Sequence, residues 1–332
     1  GFSVSEKIKL SGLSLNLYRI RTPKAMSVAK AKSVLKRKFR RLNVDANHTF
    51  DVAAVAQAGD DESLQLARRK SGPDGCGKGL KIGMIDGPID LKHAALKGRK
   101  IRYRSFIGKS ARKASAVHGT AIAALFVGGQ PKARLGGLVP GADLKVANVL
   151  ERDKAGNTIA RASTIVQAID WLAQQGVKVV NVSLTGANNQ ALRAAVIKAR
   201  SKGLIMVAAA GNWGNDKIAA YPAAYSQVIS VTAVGRKKTV YSQANKGPYI
   251  DFAAQGIRVW TAKPGRGGHY QNGTSLAAPV IAAHAAVEIS RGTKANPNDV
   301  RKALRRLAVD LSQKGKDKVY GWGLIDRAPR CK

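Results

Sequence analysis

The 332-residue chain predicts a doubly wound α/β fold, a mostly parallel sheet with helices on both faces, preceded by a small α+β module. Three observations carry this. From about residue 79 onward, short apolar runs of strand length alternate with longer segments of helical period. Asp86, Ser183 and Asn212 fall just beyond the carboxyl ends of such runs, where open α/β sheets hold their active sites. The first 52 residues keep a different rhythm, with two alternating segments and then a basic amphipathic one.

Taken in order, Phe2–Leu10 and Leu13–Arg21 alternate as strands do, with a Ser-Gly turn between them. Met26–Arg40 places Val28, Ala31, Val34, Leu35 and Phe39 at helical spacing, and Asn47–Val52 reads as a further strand. Residues 53–78 read as a linker. It contains the polar Gln57-Ala58-Gly59-Asp60-Asp61-Glu62 and Arg68-Arg69-Lys70-Ser71-Gly72-Pro73, a basic, breaker-rich run open to proteolysis. Residues 79–332 form the main domain. Lys81–Ile85 is a buried parallel strand delivering Asp86 into a Gly-Pro turn. Gly119-Thr120 starts an Ala/Ile/Leu-rich run, so His118 belongs at a helix start. Helix Thr164–Gln175 precedes strand Lys178–Leu184, helix Gln190–Lys202 precedes strand Leu204–Ala209, and Val228–Val234 is another strand. Leu276–Glu288 is Ala-rich and helical, with Pro279 tolerated in its first turns, which sets Ser275 at the N-terminus of a buried helix.

Composition narrows the function classes. Apolar residues make up 45%, enough for a large core, and no apolar run reaches the ~18 residues of a membrane span. The sequence starts at Gly1 and shows no charged-then-apolar signal segment; such a segment has been removed or lies outside this sequence. Lys and Arg number 57 against 20 Asp and Glu, a net charge of +37. That surplus attracts anionic partners, and salt-sensitive, nonspecific polyanion binding is expected beside the bland outcome of a well-solvated surface. With aromatic residues at 5% and no nucleic-acid module, stacking platforms are not expected. Cys76 and Cys331 bracket the main domain; they read as a disulfide of an oxidising compartment or as two free thiols. His48, His93, His269 and His284 show no zinc spacing, so no metal site is expected.

The chemistry lies in four residues. Asn272-Gly273-Thr274-Ser275-Leu276-Ala277-Ala278-Pro279 holds a serine, and Asp86, His118 and Asn212 precede it in the chain. A serine hydroxyl is a poor nucleophile until a base takes its proton and a third group fixes the tautomer of that base. Ser275 suits the nucleophile, His118 the base and Asp86 the orienting carboxylate. The Asn212 amide and the Ser275 backbone N–H suit the oxyanion. Each motif alone is more often a turn or a cap; together, in this order, they point to acyl-transfer chemistry.

The order Asp, His, Asn, Ser is the known order of the subtilisin-type serine hydrolases. From about Gly79 to Asp326 the chain resembles the subtilisin-like (subtilase) serine peptidases. The resemblance rests on Asp86-Gly87-Pro88-Ile89-Asp90, His118-Gly119-Thr120, Val139-Pro140-Gly141-Ala142-Asp143-Leu144, Asn181-Val182-Ser183-Leu184-Thr185-Gly186, the Ser275 motif and Tyr320-Gly321-Trp322-Gly323-Leu324-Ile325-Asp326. It implies a serine endopeptidase that takes peptide or protein substrates. Extended substrate would pair with Ser183, Leu184, Thr185 and Gly186. Ala210, Gly211, Trp213 and Ala220 would line an apolar, medium-sized specificity pocket, with Lys217 as a solvated loop lysine beside it. It implies no organic cofactor. Ala95 stands where many subtilases bind a structural calcium through Asp, and the acid-poor sequence does not support that site. Residues 1–52 resemble the later part of a subtilase prodomain, which makes the N-terminal module an expected inhibitor of its own protease, and 53–78 the expected processing region. A secreted, periplasmic or cell-envelope location follows. Gly87, where Ser or Thr is usual, and the charge motivate a rival, a catalytically degenerate subtilase that binds polyanions or a partner. Hydrolysis and acyl transfer to an amine are not separable from sequence.

Overall fold

The computed structural model describes residues 1–52, 56–57 and 71–331. From the N-terminus, β1 (Ser3–Leu10) and β2 (Leu15–Arg21) pair antiparallel, followed by α1 (Val28–Lys38), β3 (Thr49–Val52) and β4 (Ala56–Gln57). The main domain opens with β5 (Lys81–Asp86), β6 (Ile101–Ser105), β7 (Arg112–Lys113) and α2 (Val117–Val127). A hairpin of β8 (Gly129–Gln130) and β9 (Leu135–Gly136) leads to β10 (Asp143–Asn148), β11 (Leu150–Arg152), β12 (Thr158–Arg161) and α3 (Ala162–Gln174). Next come β13 (Val179–Val182), β14 (Leu184–Gly186), α4 (Gln190–Ser201), β15 (Ile205–Ala209) and β16 (Val228–Val234). The chain then forms β17 (Phe252–Gln255), the hairpin β18 (Val259–Ala262) and β19 (Gly268–Asn272), α5 (Thr274–Ser290) and α6 (Pro297–Arg305).

Seven strands form the central sheet in the order β17-β16-β15-β13-β5-β10-β6, and each neighbouring pair is parallel. Successive strand residues face opposite sides, and the apolar runs feed two cores. Ile82, Met84, Ile205, Val207 and Ile229 pack with α2 and α5. Ile85, Val180, Val182, Met206 and Ala208 pack with α3 and α4. Burial on both faces is why these strands read as continuous apolar runs. The two ends of this domain are tied by a Cys76–Cys331 disulfide.

The stretch Lys178–Leu184, which reads as one strand, divides at Ser183. Val182 still pairs with Ile85 and Ala208 in the central sheet. Beyond it β5 and β15 run out, and the chain turns away to pair as β14 with β3 in a second sheet, ordered β14-β3-β12-β11-β7. The third strand of the N-terminal segment therefore joins the main domain rather than the β1–β2 hairpin. It lies antiparallel between β12 and β14.

The rest of residues 1–52 sits on the α3–α4 side. Leu10 and Leu13, at the hairpin turn, are buried in the core beneath them. The Leu13 N–H donates to Asp170 on α3 at 2.9 Å. Asn47 accepts from the Ser163 N–H at the start of α3 (3.0 Å), and Asp45 from the Gln190 N–H at the start of α4 (2.9 Å). Helix N-termini expose unpaired N–H groups; here a sequence-distant segment satisfies them.

Candidate active site

β5 delivers Asp86 fully buried at its carboxyl end. One carboxylate oxygen accepts from the Gly87 N–H at 2.7 Å and is 2.7 Å from His118 Nδ1. A carboxylate only accepts, so Nδ1 carries the proton and donates it, which leaves Nε2 as the basic nitrogen of the ring. His118 is the second residue of α2 and is 8% exposed. Gly119 explains how α2 comes so close to the Asp86 turn. A Cβ there would lie 2.3 Å from the Pro88 carbonyl oxygen.

Ser275 sits in the first turn of α5, which packs against α2. Its hydroxyl and His118 Nε2 are both buried without a hydrogen-bond partner. Gly273 precedes the helix at φ 151° and ψ 157°, a region open to glycine alone. Pro279 has no N–H, so the Ser275 carbonyl loses its usual helical donor. Ser183 supplies a replacement through its hydroxyl at 3.4 Å, and Asn181 donates to that hydroxyl at 2.9 Å. The nucleophile candidate is thus braced by residues from the β13–β14 break.

Asn212, 6% exposed, is oriented by Thr274. The Thr274 N–H and hydroxyl both donate to its side-chain oxygen, at 3.1 and 2.8 Å. A backbone N–H only donates, so the amide oxygen is fixed on that side and the NH₂ turns to the other. The Thr274 hydroxyl also accepts from the Gly211 N–H at 3.3 Å. Sequence reasoning alone assigns no site role to Thr274, Asn181 or Pro279. Their signal is the motif itself, since Thr274 and Pro279 flank Ser275 and Asn181 opens the Ser183 segment.

The expected pocket residues fall on two segments. Ser183, Leu184 and Thr185 are buried where β14 meets β3, and Gly186 bonds through its backbone to Tyr221. Ala210 is buried at the end of β15, and a Cβ on Gly211 would touch Ala220 at 3.1 Å. Trp213 is 40% exposed, at the edge of this group, and Lys217 is exposed. The second Asp86 oxygen is buried without a partner, and position 87 carries no side chain to supply one. The space a side chain would take is held by Leu150, whose Cδ1 lies 2.9 Å from a Cβ at that position. Ala95 is fully buried, and no three His, Cys, Asp or Glu side chains gather among the described residues.

His93, expected in the turn after Asp86, accepts from the Ala95 N–H and bonds the Gly267 carbonyl at 2.9 Å. His284 bonds the Arg327 carbonyl at 2.8 Å, and burial pushes its imidazole below the ordinary range. Both serve packing. His48 bonds Asn189 at the start of α4.

Residues 77–323 match the model of the subtilase family of peptidases. Subtilisin DY of Bacillus licheniformis is 34% identical over 255 residues, which cover 75% of this chain and 90% of that protein. Subtilisin E of Bacillus subtilis (strain 168) is 30% identical over 340 residues, covering 92% of this chain and 87% of its own. Among solved structures, fervidolysin from Fervidobacterium pennivorans superposes with a TM-score of 0.66 at 24% identity, over 76% of this chain and 42% of that one. The patellamide maturation protease PatA gives 0.64 at 25% identity, over 75% and 94%. A parallel sheet carrying a buried Asp–His pair beside a serine-led helix, with these relatives, makes this chain a member of the subtilase family, a subtilisin-like serine endopeptidase.

Proposed function

We propose that the chain is a self-processing endopeptidase that works through an Asp86–His118–Ser275 triad and an acyl-enzyme. The observation that carries the reading is the course of its own N-terminal segment. β3 lies between β12 and β14 as an extended peptide would, and β4 pairs with β19. Val52 pairs with Leu184, next to Ser183, and Ala56 pairs with Asn272, three residues before Ser275. Described segments thus approach Ser275 from both sides. The cut falls between Val52 and Ala56, at the front of the 53–78 stretch. The basic end of that stretch, residues 68–70, lies outside the described residues.

In the reaction, His118 Nε2 takes the Ser275 hydroxyl proton as Oγ attacks the carbonyl carbon. The oxyanion accepts from the Asn212 NH₂ and the Ser275 N–H. The C–N bond breaks, His118 protonates the departing amine, and the acyl group stays on Ser275. Water, deprotonated by His118, then hydrolyses the ester. Asp86 remains ionised, holds the ring and stabilises its charged form. Ala220 and Gly211 favour a small to medium apolar residue before the cut, with Trp213 at the rim. After cleavage residues 1–52 remain as a product inhibitor, anchored by Phe50. That side chain is fully buried, and a Cβ on Gly186 would be 2.4 Å from its ring. The match to subtilisin E supports this unit, since it covers 92% of the chain and so reaches into the N-terminal segment. The disulfide and the extracellular relative Epr of Bacillus subtilis, 32% identical, support work outside the cytoplasm.

The test is intact mass and N-terminal sequencing of wild type and Ser275→Ala, with and without a serine-reactive phosphonate. The expected result is wild-type cutting between residues 52 and 56 and one adduct, on Ser275. Hydrolysis should fall by roughly 10⁶ in the variant, the loss known for this constellation in subtilisin. Cutting that persists in Ser275→Ala would overturn the reading. A folded wild type with neither cut nor adduct would leave the degenerate binder.

A further inference from the structure

β19 continues away from Ser275 into a surface that the reaction does not use. Its Tyr270 pairs across the sheet with Trp260 of β18, ring centroids 4.9 Å apart. The Trp260 indole N–H donates to the Ala133 carbonyl at 3.2 Å. This ties the β8–β9 loop to the hairpin and sets exposed Lys132 and Arg134 at a shallow open cleft lined by Lys132, Ala133, Arg134, Trp260 and Tyr270. The Arg258 guanidinium lies 5.1 Å over the Tyr270 ring. Lys263 and Arg266 are exposed in the β18–β19 loop.

Two features set this patch apart from the general positive charge. Arg134 and Arg258 both hold positive φ, 60° and 52°, a conformation that long side chains seldom adopt. Strain kept at two arginines around one cleft is the kind of outlier found at functional surfaces. The patch is also poor in acids. The sequence from Phe252 to Val287 contains no Asp or Glu, and neither does Pro131–Ala142. The acid tied to the loop is Asp90, whose carboxylate accepts from the Gly265 N–H at 2.9 Å. Bonds from the Gly265 and Lys92 N–H groups hold its carboxyl below the ordinary value. Burial, and then the Lys263 charge, depress the His269 imidazole.

The register says what would meet the patch. β4 runs antiparallel to β19 with Ala56 opposite Asn272 and Gln57 opposite Gln271. A polypeptide extended on that line passes Tyr270 next, then Gly268 and the Lys263–Gly267 loop, at ~3.3 Å per residue. We infer that this cationic, aromatic surface is an extended subsite that selects acidic residues on the C-terminal side of the cut, about two to six positions beyond the residue paired with Asn272. The inference rests on the proposed active site for its direction along the cleft. The chain's own sequence over those positions reads Ala58-Gly59-Asp60-Asp61-Glu62, with three consecutive acids in a chain that has 20 in all.

The test uses three peptides built on Thr49–Gln57: one followed by Ala-Gly-Asp-Asp-Glu, one followed by Ala-Gly-Asn-Asn-Gln, and one with the acids moved to the N-terminal end. Hydrolysis by the self-cleaved chain, separated from residues 1–52, gives kcat/KM, and binding of each labelled peptide to the same separated protein after treatment with a small serine-reactive phosphonate gives Kd. The acidic C-terminal peptide should be preferred about fivefold at low salt, as two or three exposed charge pairs allow. The preference should act on KM and Kd, shrink as salt screens it, and vanish in Lys132→Gln/Arg134→Gln/Arg266→Gln. Equal values for all three peptides, or equal preference for acids at either end, would overturn the subsite and reduce the effect to net charge. Loss of cleavage with the binding preference intact would overturn the active-site reading and leave the subsite standing.

Discussion

The central sheet and the N-terminal segment hold together by different means. Strands β5, β13, β15 and β16 are buried almost throughout, and each turns alternate residues into two cores. Residues 1–52 contribute few buried side chains: Leu10, Leu13, Ala31, Leu35 and Phe50. They hold on through those anchors, the pairing of β3 with both β12 and β14, and polar caps on α3 and α4. Apolar burial stabilises by about 25 cal/mol per Å², so the sheet positions the site residues rigidly. The N-terminal segment is attached by a handful of removable contacts. Under the proposed self-processing, an N-terminal inhibitor that leaves after the cut needs this asymmetry.

On the rigid side, short of removing a triad member, the largest effect expected comes from Asn212→Ala. The variant should keep the substrate's KM and lose about 10²–10³ in kcat, the loss known for such a donor in subtilisin. Steady-state kinetics on a small peptide measure it. An unchanged kcat would remove Asn212 from the oxyanion site and leave it as the brace of Thr274.

On the detachable side, Phe50→Ala should act through docking alone. Truncating a buried phenylalanine costs about 3 kcal/mol or more, so the cleaved segment should hold about a hundredfold less tightly. Catalysis of a small substrate by the freed enzyme should not change. Inhibition by the separated segment, titrated in trans, reads the difference. Wild-type inhibition by the variant segment would show that β3 pairing, not the Phe50 anchor, carries the attachment.

The same contrast governs what is legible in the sequence. Asp86, Ser183 and Asn212 can be located because each ends a run whose periodicity is local. His118 and Ser275 can be located because helical patterns start beside them. The strand at Thr49–Val52 is legible, but its partners are not: Val52 meets Leu184 across 132 residues of sequence, and hydropathy carries no record of that pairing. The Leu13–Asp170 bond, 157 residues apart, is hidden for the same reason. The Ser183 break escapes notice because Val182 and Leu184 are equally apolar, and only the end of the neighbouring strands forces the turn. Gly87 reads as a weakened site. Its neighbour Leu150, which fills the missing side chain's space, is 63 positions away and gives no warning.

The smallest effect is a pH dependence of docking through Asp45. Burial by itself would raise its carboxyl; the bonds from the Gln190 N–H, Lys32 and the Ala46 N–H outweigh that and hold it below 3.8. The carboxylate is therefore favoured in the docked segment, and the undocked one binds more protons as pH falls. Asp45's contribution to docking is complete above about pH 4 and is lost as pH drops through the lowered value. Asp170, under the hairpin turn, is shifted the opposite way by burial, so its protonation does not add to the loss. Dissociation of the cleaved segment should rise severalfold from pH 5 to pH 3, and Asp45→Asn should flatten that limb, because its amide keeps an acceptor for Gln190 and carries no charge to titrate. Segment retention on size exclusion at stepped pH measures both. A limb unchanged in Asp45→Asn would move the acid sensitivity away from the α4 cap and onto the rigid domain, erasing the contrast between the two regions on this point.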